Sequence, residues 1–371
     1  MNIEIPFLKP SLVRKEHYLH YLEQIDETRL YSNYGPLNQL FESRILRERF
    51  RGQGAAVTVC NATCGLMLAI SQNRRATGRY ALMPSFTFAA TPLAALWCGL
   101  EPYFIDVRPG DWCLDEVLLA ETIAALGDEV AIVIPYATFG SAMKLDFYEE
   151  LHRSGVPVVV DAAPCFGTVS EEGQFGQGFP GSVVFSFHAT KAFGIGEGGL
   201  VYSGDEATIE RIRQAANFGF SERREAVIVG LNGKLSEYTA AVALATLDAF
   251  PEKCQRRQEV YRCYRDAFSA HGLSERGWSL QDERGSIPHQ FFPTLCPDRE
   301  DNAAVLRRLE KVGVQARTYF SPACHQQVSF RQYPRTTMEV IEGLSRRIVS
   351  LPLWEEMGCA EVEQVVRGIA G

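Results

Sequence analysis

The chemistry that this sequence suggests begins at Lys191, which stands between an apolar run and a glycine-rich segment. Residues 182–187 (Ser-Val-Val-Phe-Ser-Phe) are typical of a buried strand, and residues 194–199 contain four glycines. A lysine with the ordinary pKa of about 10.4 is protonated at neutral pH, so a nucleophilic lysine must be partly desolvated. The free amine then attacks a carbonyl and forms a Schiff base, while glycines let backbone approach a flat or charged ligand. Alternatively, Lys191 is an ordinary lysine that extends from a strand end into solvent.

A second candidate, Asp161, ends the valine-rich segment 156–161 (Val-Pro-Val-Val-Val-Asp). This composition is typical of a parallel strand buried on both faces, and ligands of open α/β sheets bind at the carboxyl ends of such strands. The carboxylate could cap the following helix. It could also pair with the ring nitrogen of pyridoxal phosphate, a cofactor whose aldehyde requires a lysine. Asp161 and Lys191 lie 30 positions apart (191 − 161 = 30), which suits two neighbouring strand ends and predicts this cofactor.

Several segments, spread in order along the chain, resemble those of one known family. They are Gly-Pro-x-x-x-x-Phe-Glu (35–42), Pro-Ser-Phe-Thr-Phe-Ala-Ala-Thr (84–91), Glu-Pro-Tyr-Phe-Ile-Asp-Val (101–107), Asp-Ala-Ala (161–163), Phe-Ser-Phe-His-x-x-Lys (185–191), Gly-Glu-Gly-Gly (196–199), Gly-Leu-Asn-Gly-Lys-Leu-Ser-Glu (230–237) and Ser-Leu-Pro-Leu (350–353). In these segments the sequence resembles the DegT/DnrJ/EryC1/StrS family of pyridoxal-phosphate-dependent sugar aminotransferases. The resemblance implies the α/β fold type I of aspartate aminotransferase.

The resemblance also implies which residues bind the cofactor. Ala62 and Thr63 follow a predicted strand and open a helix, where free N–H groups and the helix dipole favour phosphate. The resemblance adds the hydroxyl of Ser186 to the phosphate and stacks Phe88 on the pyridine ring, although an isolated aromatic is usually a core residue. It also implies that Asn232 contacts the phosphate of a partner subunit, so that a homodimer shares its active sites. The alternative for Asn232 is a turn asparagine.

Four further residues are candidates for contact with the substrate. Asn33 and Tyr34 lie near the predicted mouth of the site, and Tyr319 lies in a segment similar to the Arg-x-Tyr-Phe-x-Pro loop of family members that act on dTDP-4-keto-6-deoxy sugars. Lys234 stands where the family usually has arginine, and it keeps the charge without the planar guanidinium. Pro164 stands where the family usually has glutamine or histidine, which removes a side-chain hydrogen bond near the cofactor.

The resemblance implies a two-step transamination, with glutamate as the expected amino donor. The predicted acceptor is a nucleotide-linked deoxysugar, specifically the C4 ketone of dTDP-4-keto-6-deoxyglucose. Two alternatives remain open: C3 amination of a dTDP-3-keto-6-deoxyhexose, and a non-catalytic sugar-nucleotide-binding relative, which Pro164 and Lys234 would favour. Sugar dehydration is disfavoured, because the relatives that perform it carry histidine in place of Lys191.

These residues require a sheet to position them, and the sequence predicts seven strands. Helical patterns lie between several of the strands, which favours a mostly parallel sheet covered on both faces, with an antiparallel step at the Lys191 turn. The predicted strands are 55–59, 80–83, 102–107, 130–134, 157–160, 183–187 and 199–202, and the predicted helices between them are 63–71, 92–97, 116–126 and 147–153.

Two domains are predicted, a large cofactor-binding domain (1–250) and a smaller C-terminal α+β domain (251–371). A long helical pattern over 236–271, which Pro251 should break or kink, connects them. In the small domain the pattern predicts strands at 290–295 and 315–320 and helices at 299–312, 338–349 and 360–369.

Composition excludes several other classes of protein. The net charge is −8 and the sequence has no block rich in lysine and arginine, so a nucleic-acid partner is not expected. The ten cysteines show no paired spacing with one another or with histidine, which predicts no metal site and a reduced, cytoplasmic protein. No apolar run reaches the ~18 residues of a membrane span, and the N-terminus lacks the pattern of a signal peptide.

Overall fold

The computed structural model describes residues 3–371, which contain eleven α-helices and eleven strands. The elements up to the lysine turn are α1 (Leu19–Thr28), α2 (Pro36–Arg49), β1 (Ala55–Val59), α3 (Ala62–Asn73), β2 (Tyr80–Pro84), α4 (Ala90–Trp97), β3 (Glu101–Ile105), α5 (Glu116–Leu126), β4 (Val130–Val133), α6 (Asp146–Arg153), β5 (Val159–Asp161), β6 (Val169–Ser170), β7 (Gly173–Gln174) and β8 (Ser182–Ser186). The remaining elements are β9 (Gly199–Ser203), α7 (Glu206–Ala216), α8 (Glu237–Ala270), β10 (Phe292–Leu295), α9 (Asn302–Lys311), α10 (Glu339–Arg347), β11 (Ile348–Leu351) and α11 (Cys359–Ala370).

Seven strands form the central sheet in the order β3-β2-β4-β5-β8-β9-β1. Parallel bridges from Val133 to Val158 and from Tyr136 to Asp161 join the three-stranded and four-stranded parts. Only β9 runs antiparallel, pairing with β8 on one side and β1 on the other. The structure thus confirms the seven predicted strands, the mostly parallel sheet and the antiparallel step at the lysine turn. This arrangement brings the carboxyl ends of β5 and β8 to one edge of the sheet.

Both faces of the sheet are buried, as the valine-rich strands predict. Along β8 the side chains alternate between two hydrophobic clusters: Val183 and Phe185 belong to one, and Val184 to the other. Helices α2 and α8 cover the first cluster, while α3 and α7 cover the second. The strand that leads to the lysine is therefore held from both sides.

Helix α8 runs without interruption from Glu237 to Ala270, so Pro251 does not break it, and the kink that the sequence also allowed there stays a prediction. Proline removes one main-chain donor, but tertiary packing keeps both halves helical. Phe250 packs in a cluster of the large domain, whereas Val260 and Phe268 pack in a third cluster formed by C-terminal residues. The proposed boundary at residues 250 and 251 falls between these two packing environments and stays a prediction.

The C-terminal part differs from the sequence prediction at two places. Residues 315–320 form no strand, because only Arg317 pairs there, exchanging two main-chain hydrogen bonds with Ser350 before the chain turns at residues 318–321. Strand β11 (Ile348–Leu351), which was predicted as the end of a helix, instead pairs antiparallel with β10. A short apolar run after a helical pattern does not reveal by its periodicity where the helix ends.

The expectation that all ten cysteines are reduced is wrong for one pair, because Cys263 and Cys359 form a disulfide. The two residues lie on packed helices, α8 and α11, with their Cα atoms 5.4 Å apart. They are separated by 96 positions, and sequence spacing cannot reveal such a contact. Among residues 3–371, no helix combines the length and apolar character needed to cross a membrane.

Candidate cofactor site at the carboxyl edge of the sheet

Lys191 lies in the turn that connects β8 to β9, at the edge of the sheet. Its main-chain N–H donates to the carbonyl of His188 (2.8 Å), which closes the turn. Its Nζ donates to Oε1 of Gln290 at 3.1 Å. Burial lowers the pKa of the Lys191 amine, and the nearby carboxylate of Asp161 opposes this effect. More of the amine is therefore neutral, and nucleophilic, than at an exposed lysine.

Asp161 ends β5 and is 3% exposed. Its Oδ2 accepts a hydrogen bond from the Thr91 hydroxyl (2.6 Å), and its Oδ1 accepts one from the Ala163 N–H (3.1 Å). Burial raises the pKa of Asp161, while the bonds from Thr91 and Ala163 and the charge of Lys191 lower it. The carboxyl group is thus fixed in orientation, and a cation beside it would favour its ionised form.

The first turn of α3 offers main-chain donors to an anion. Asn61 caps the helix, since its Oδ1 accepts from the N–H of Cys64 (2.9 Å). The N–H groups of Ala62 and Thr63 donate no hydrogen bond anywhere within residues 3–371. Two free donors at a helix N-terminus form a site that fits a phosphate group.

Gly199 and Ser186 lie directly beside this helix terminus. Gly199 pairs with Ser186 across β8 and β9, and with Val59 across β9 and β1. A Cβ atom on Gly199 would lie 2.9 Å from the nitrogen of Ala62, so only glycine leaves this approach open. The hydroxyl of Ser186 already accepts from the N–H of His188 (3.3 Å) and still has a proton to donate. The structure therefore places Ala62, Thr63 and Ser186 close together, as the sequence predicts.

Phe88 and Tyr319 line one cavity of about 560 Å³. Phe88 is 60% exposed and lies in the loop before α4. The hydroxyls of Thr87 and Thr91, on either side of it, are hydrogen-bonded to each other (2.9 Å), and Thr91 reaches Asp161. The loop that carries the exposed ring is thus tied to the buried carboxylate.

Lys234 and Asn232 lie along a segment (217–234) that is partly exposed. Lys234 Nζ donates to Oδ1 of Asn217 (2.8 Å) and lies 4.7 Å from the ring centroid of Phe218, and burial lowers its pKa. Asn232 is exposed, and its main chain forms a bridge with Asn217. Lys234 is therefore held by its own subunit, while the side chain of Asn232 faces outward.

Asn33 and Tyr34 both have left-handed backbone, with φ of 65° and 56°. Asn33 is exposed. The Tyr34 ring lies under the guanidinium of Arg213 (4.8 Å), and burial raises the pKa of its hydroxyl, which has no hydrogen-bond partner among residues 3–371. The two residues therefore differ in exposure: the side chain of Asn33 is accessible to a ligand, whereas that of Tyr34 is largely buried.

Sequence reasoning missed two residues that touch the predicted site, Thr91 and Gln290. Thr91 belongs to the segment 84–91 that carries the family resemblance, but nothing in that segment shows that its hydroxyl reaches Asp161, 70 positions away. Gln290 reaches Lys191 across 99 positions and has no local sequence signal.

Comparisons with known proteins agree with this geometry. The model of the DegT/DnrJ/EryC1/StrS aminotransferase family matches residues 13–370. A crystal structure of a candidate PLP-dependent aminotransferase from Bacillus cereus ATCC 10987 is 50% identical with a TM-score of 0.98, over 99% of this chain and 100% of that one. DesI, solved in the presence of its TDP-sugar product, is 30% identical with a TM-score of 0.85, over 98% and 93% of the two chains. The dTDP-4-amino-4,6-dideoxy-D-glucose transaminase of Escherichia coli is 25% identical, over 99% and 98%.

Proposed function

The chain belongs to the DegT/DnrJ/EryC1/StrS aminotransferase family of pyridoxal-phosphate-dependent sugar aminotransferases, and we propose that it transfers an amino group from glutamate to a keto group of a nucleotide-linked deoxysugar. The observation that carries the proposal is the presence of a desolvated lysine amine and a buried carboxylate at the same edge of the sheet. Lys191 and Asp161 act on each other's charge at one edge of the sheet. Bound pyridoxal phosphate would supply an aldehyde for amines and a ring that accepts electrons.

In this proposal Lys191 both attaches the cofactor and moves a proton. Its Nζ would hold the aldehyde of the cofactor, which needs the neutral amine that burial favours. As a free amine, the same Nζ would act as a base and take a proton from the substrate carbon. One residue thus serves the attachment and the proton transfer.

Asp161 would hold a proton on the ring nitrogen of the cofactor. Thr91 and Ala163 fix its two oxygens, so the carboxylate does not need to reorient when the cofactor binds. The N–H groups of Ala62 and Thr63, with the Ser186 hydroxyl, would bind the phosphate. The exposed ring of Phe88 would stack on the cofactor ring.

We propose that the acceptor is the C4 ketone of dTDP-4-keto-6-deoxyglucose. The relative from Escherichia coli named for a 4-amino product and DesI with its TDP-sugar product support a nucleotide-linked sugar and favour C4. The alternative acceptor is a C3 ketone of a dTDP-3-keto-6-deoxyhexose. The cavity of about 560 Å³ beside Phe88 and Tyr319, together with the open Asn33 and the Lys234 region, is the proposed substrate side.

Amino transfer is tested in two half-reactions. Glutamate added to the holoprotein should convert the absorbance of the lysine-linked cofactor into that of its amine form, and a panel of dTDP- and UDP-linked ketosugars should then reverse the change. Mass spectrometry of the product, with fragmentation, identifies the sugar carbon. Lys191→Ala should fold, lose the lysine-linked absorbance and be inactive. Wild-type turnover in Lys191→Ala would contradict the assignment of the lysine.

We propose further that a homodimer shares its active sites through Asn232. The segment that carries Asn232 exposes apolar side chains, including Phe218 (44%), Val227 (56%) and Val229 (80%), which a partner subunit would bury. Subunit complementation separates this arrangement from a self-contained site. If Asn232 serves the partner's site, mixed Lys191→Ala and Asn232→Ala chains should regain up to about one quarter of wild-type activity, because half of the dimers then contain one intact site. No recovery in verified hybrids would contradict the sharing.

A further inference from the structure

Gln290 is the side chain that holds the amine of Lys191, and it comes from the other domain of the predicted pair. Its Oε1 accepts from Nζ at 3.1 Å. Gln290 lies two residues before β10, in the segment that enters the C-terminal α+β part, while Lys191 lies in the turn between β8 and β9. The contact therefore joins the lysine turn to a segment that the sequence assigns to the small domain.

The residue before Gln290, His289, is held by several contacts, which limit the movement of Gln290. The carbonyl of His289 accepts from Nη1 of Arg257 (2.7 Å), and Nε of Arg257 donates to Oε1 of Glu355 (3.0 Å). The His289 ring stacks on Tyr261 with centroids 3.8 Å apart, and its Nε2 lies 3.0 Å from Oε1 of Glu283. His289 and Arg257 are both buried. This network fixes the backbone from which the Gln290 side chain extends.

An amide oxygen in this place restricts what the amine can do. A neutral lysine amine has two N–H donors and one lone pair, and Oε1 can only accept. When one N–H points at Gln290, the lone pair must point elsewhere. The hydrogen bond therefore restricts rotation of the amine about its Cε–Nζ bond.

We propose that Gln290 is a positioning residue for Lys191: it holds Nζ by one hydrogen bond and directs the lone pair of the free amine away from the C-terminal segment. The inference rests on the role proposed above for Lys191 as the base. It adds that the amine is positioned by the C-terminal domain and not only by its own turn.

The test uses the cofactor-free protein and does not depend on activity. The rate at which acetic anhydride modifies Lys191, followed by peptide mass spectrometry over a range of pH, reports the pKa of its amine. The titratable groups that influence Nζ are the carboxyl of Asp161 and the thiol of Cys165, and neither is changed in the two variants. Gln290→Glu places a carboxylate beside Nζ and should raise the apparent pKa by about one unit or more. Gln290→Met removes the acceptor at similar length and should lower the apparent pKa by about half a unit to one unit.

Gln281→Met is the matched control. Gln281 is also a buried amide in the C-terminal half, but its Nε2 donates to the carbonyls of Asp111 and Thr138 and not toward Lys191. This variant should leave the Lys191 profile at the wild-type position even if it lowers the melting temperature. In the loaded enzyme, Gln290→Met should lower kcat more than it changes KM for glutamate, because it misplaces the base without removing a substrate contact.

Superimposable Lys191 profiles for the wild type and Gln290→Glu would overturn the proposal, and this variant decides the question if Gln290→Met fails to fold. That outcome would not contradict the proposed amino transfer by the wild type. Conversely, if the two Gln290 variants show the expected shifts but the wild type transfers no amino group, the proposed function is refuted and the positioning role of Gln290 stands.

Discussion

Thr91 offers a sharp test of the site, because its hydroxyl is the strongest of the influences that lower the pKa of Asp161. The bond from Thr91 Oγ1 to Asp161 Oδ2 is 2.6 Å long, and both residues are buried. Thr91→Val keeps the shape and the β-branch and removes only the donor. Hydrogen bonds to charged groups contribute about 1.5–3 kcal/mol, which corresponds to a rise of about 1–2 units in the pKa of Asp161 at 1.36 kcal/mol per unit.

The direction of the effect on cofactor binding follows from this pKa. The proposed partner of the ring nitrogen is the ionised carboxylate, so affinity should fall as the pH drops through the pKa of Asp161. Burial already raises that pKa, and Thr91→Val raises it further. The loss of affinity in the variant should therefore begin about 1–2 pH units higher than in the wild type.

The assay is a titration of cofactor-free protein with pyridoxal phosphate, followed by fluorescence at a series of pH values. Titration of the cofactor's own groups is the same for every variant and cancels in the comparison. Thr91→Ser, which keeps the donor, should follow the wild type. Thr87→Val removes the neighbouring hydroxyl but leaves the donor to Asp161, and its profile should shift less. If the wild-type and Thr91→Val profiles coincide, the hydroxyl does not control the carboxylate and the reasoning fails.

Three further predictions concern stability and are checked by urea or thermal unfolding. Gly199→Ala should cost about 1–3 kcal/mol and weaken phosphate binding at the cofactor site, because the added methyl group meets main-chain atoms on two sides. Arg257→Met should cost about 3–5 kcal/mol by leaving Glu355 buried without its main partner, and adding Glu355→Gln should recover part of the loss. Reductant should lower the stability of the wild type by about 2–4 kcal/mol through the Cys263–Cys359 disulfide, and a variant with serine at both positions should not respond to it.

Local patterns were sufficient to predict the sheet and the two charged residues at its edge. Buried parallel strands leave long apolar runs, and ligands of such sheets bind where these runs end, which is the position of Asp161. The glycines after Lys191 could also be interpreted from the sequence, because a close approach of the backbone to a ligand requires glycine. The N-terminal turn of α3 could be predicted because the sequence pattern changes there directly from strand to helix.

The missed features all depend on contacts between distant parts of the chain. Thr91 and Gln290 contact the site only because the fold brings them there, and neither has a local pattern that marks it. The first two residues of β11, Ile348 and Val349, were mistaken for a helix end, because a short buried run fits either structure until a pairing partner is known. Pro251 was overestimated as a helix breaker, because tertiary packing on both sides outweighs one missing hydrogen bond.

The uninterrupted α8 has a mechanical consequence. Its 34 residues form a rod about 50 Å long, seated at one end among the side chains behind the lysine turn and at the other in the C-terminal cluster. A lever of this kind converts small rotations into large displacements: a tilt of about 5° at Pro251 would move the far end by about 2.5 Å. That displacement is enough to break a hydrogen bond carried by the C-terminal part.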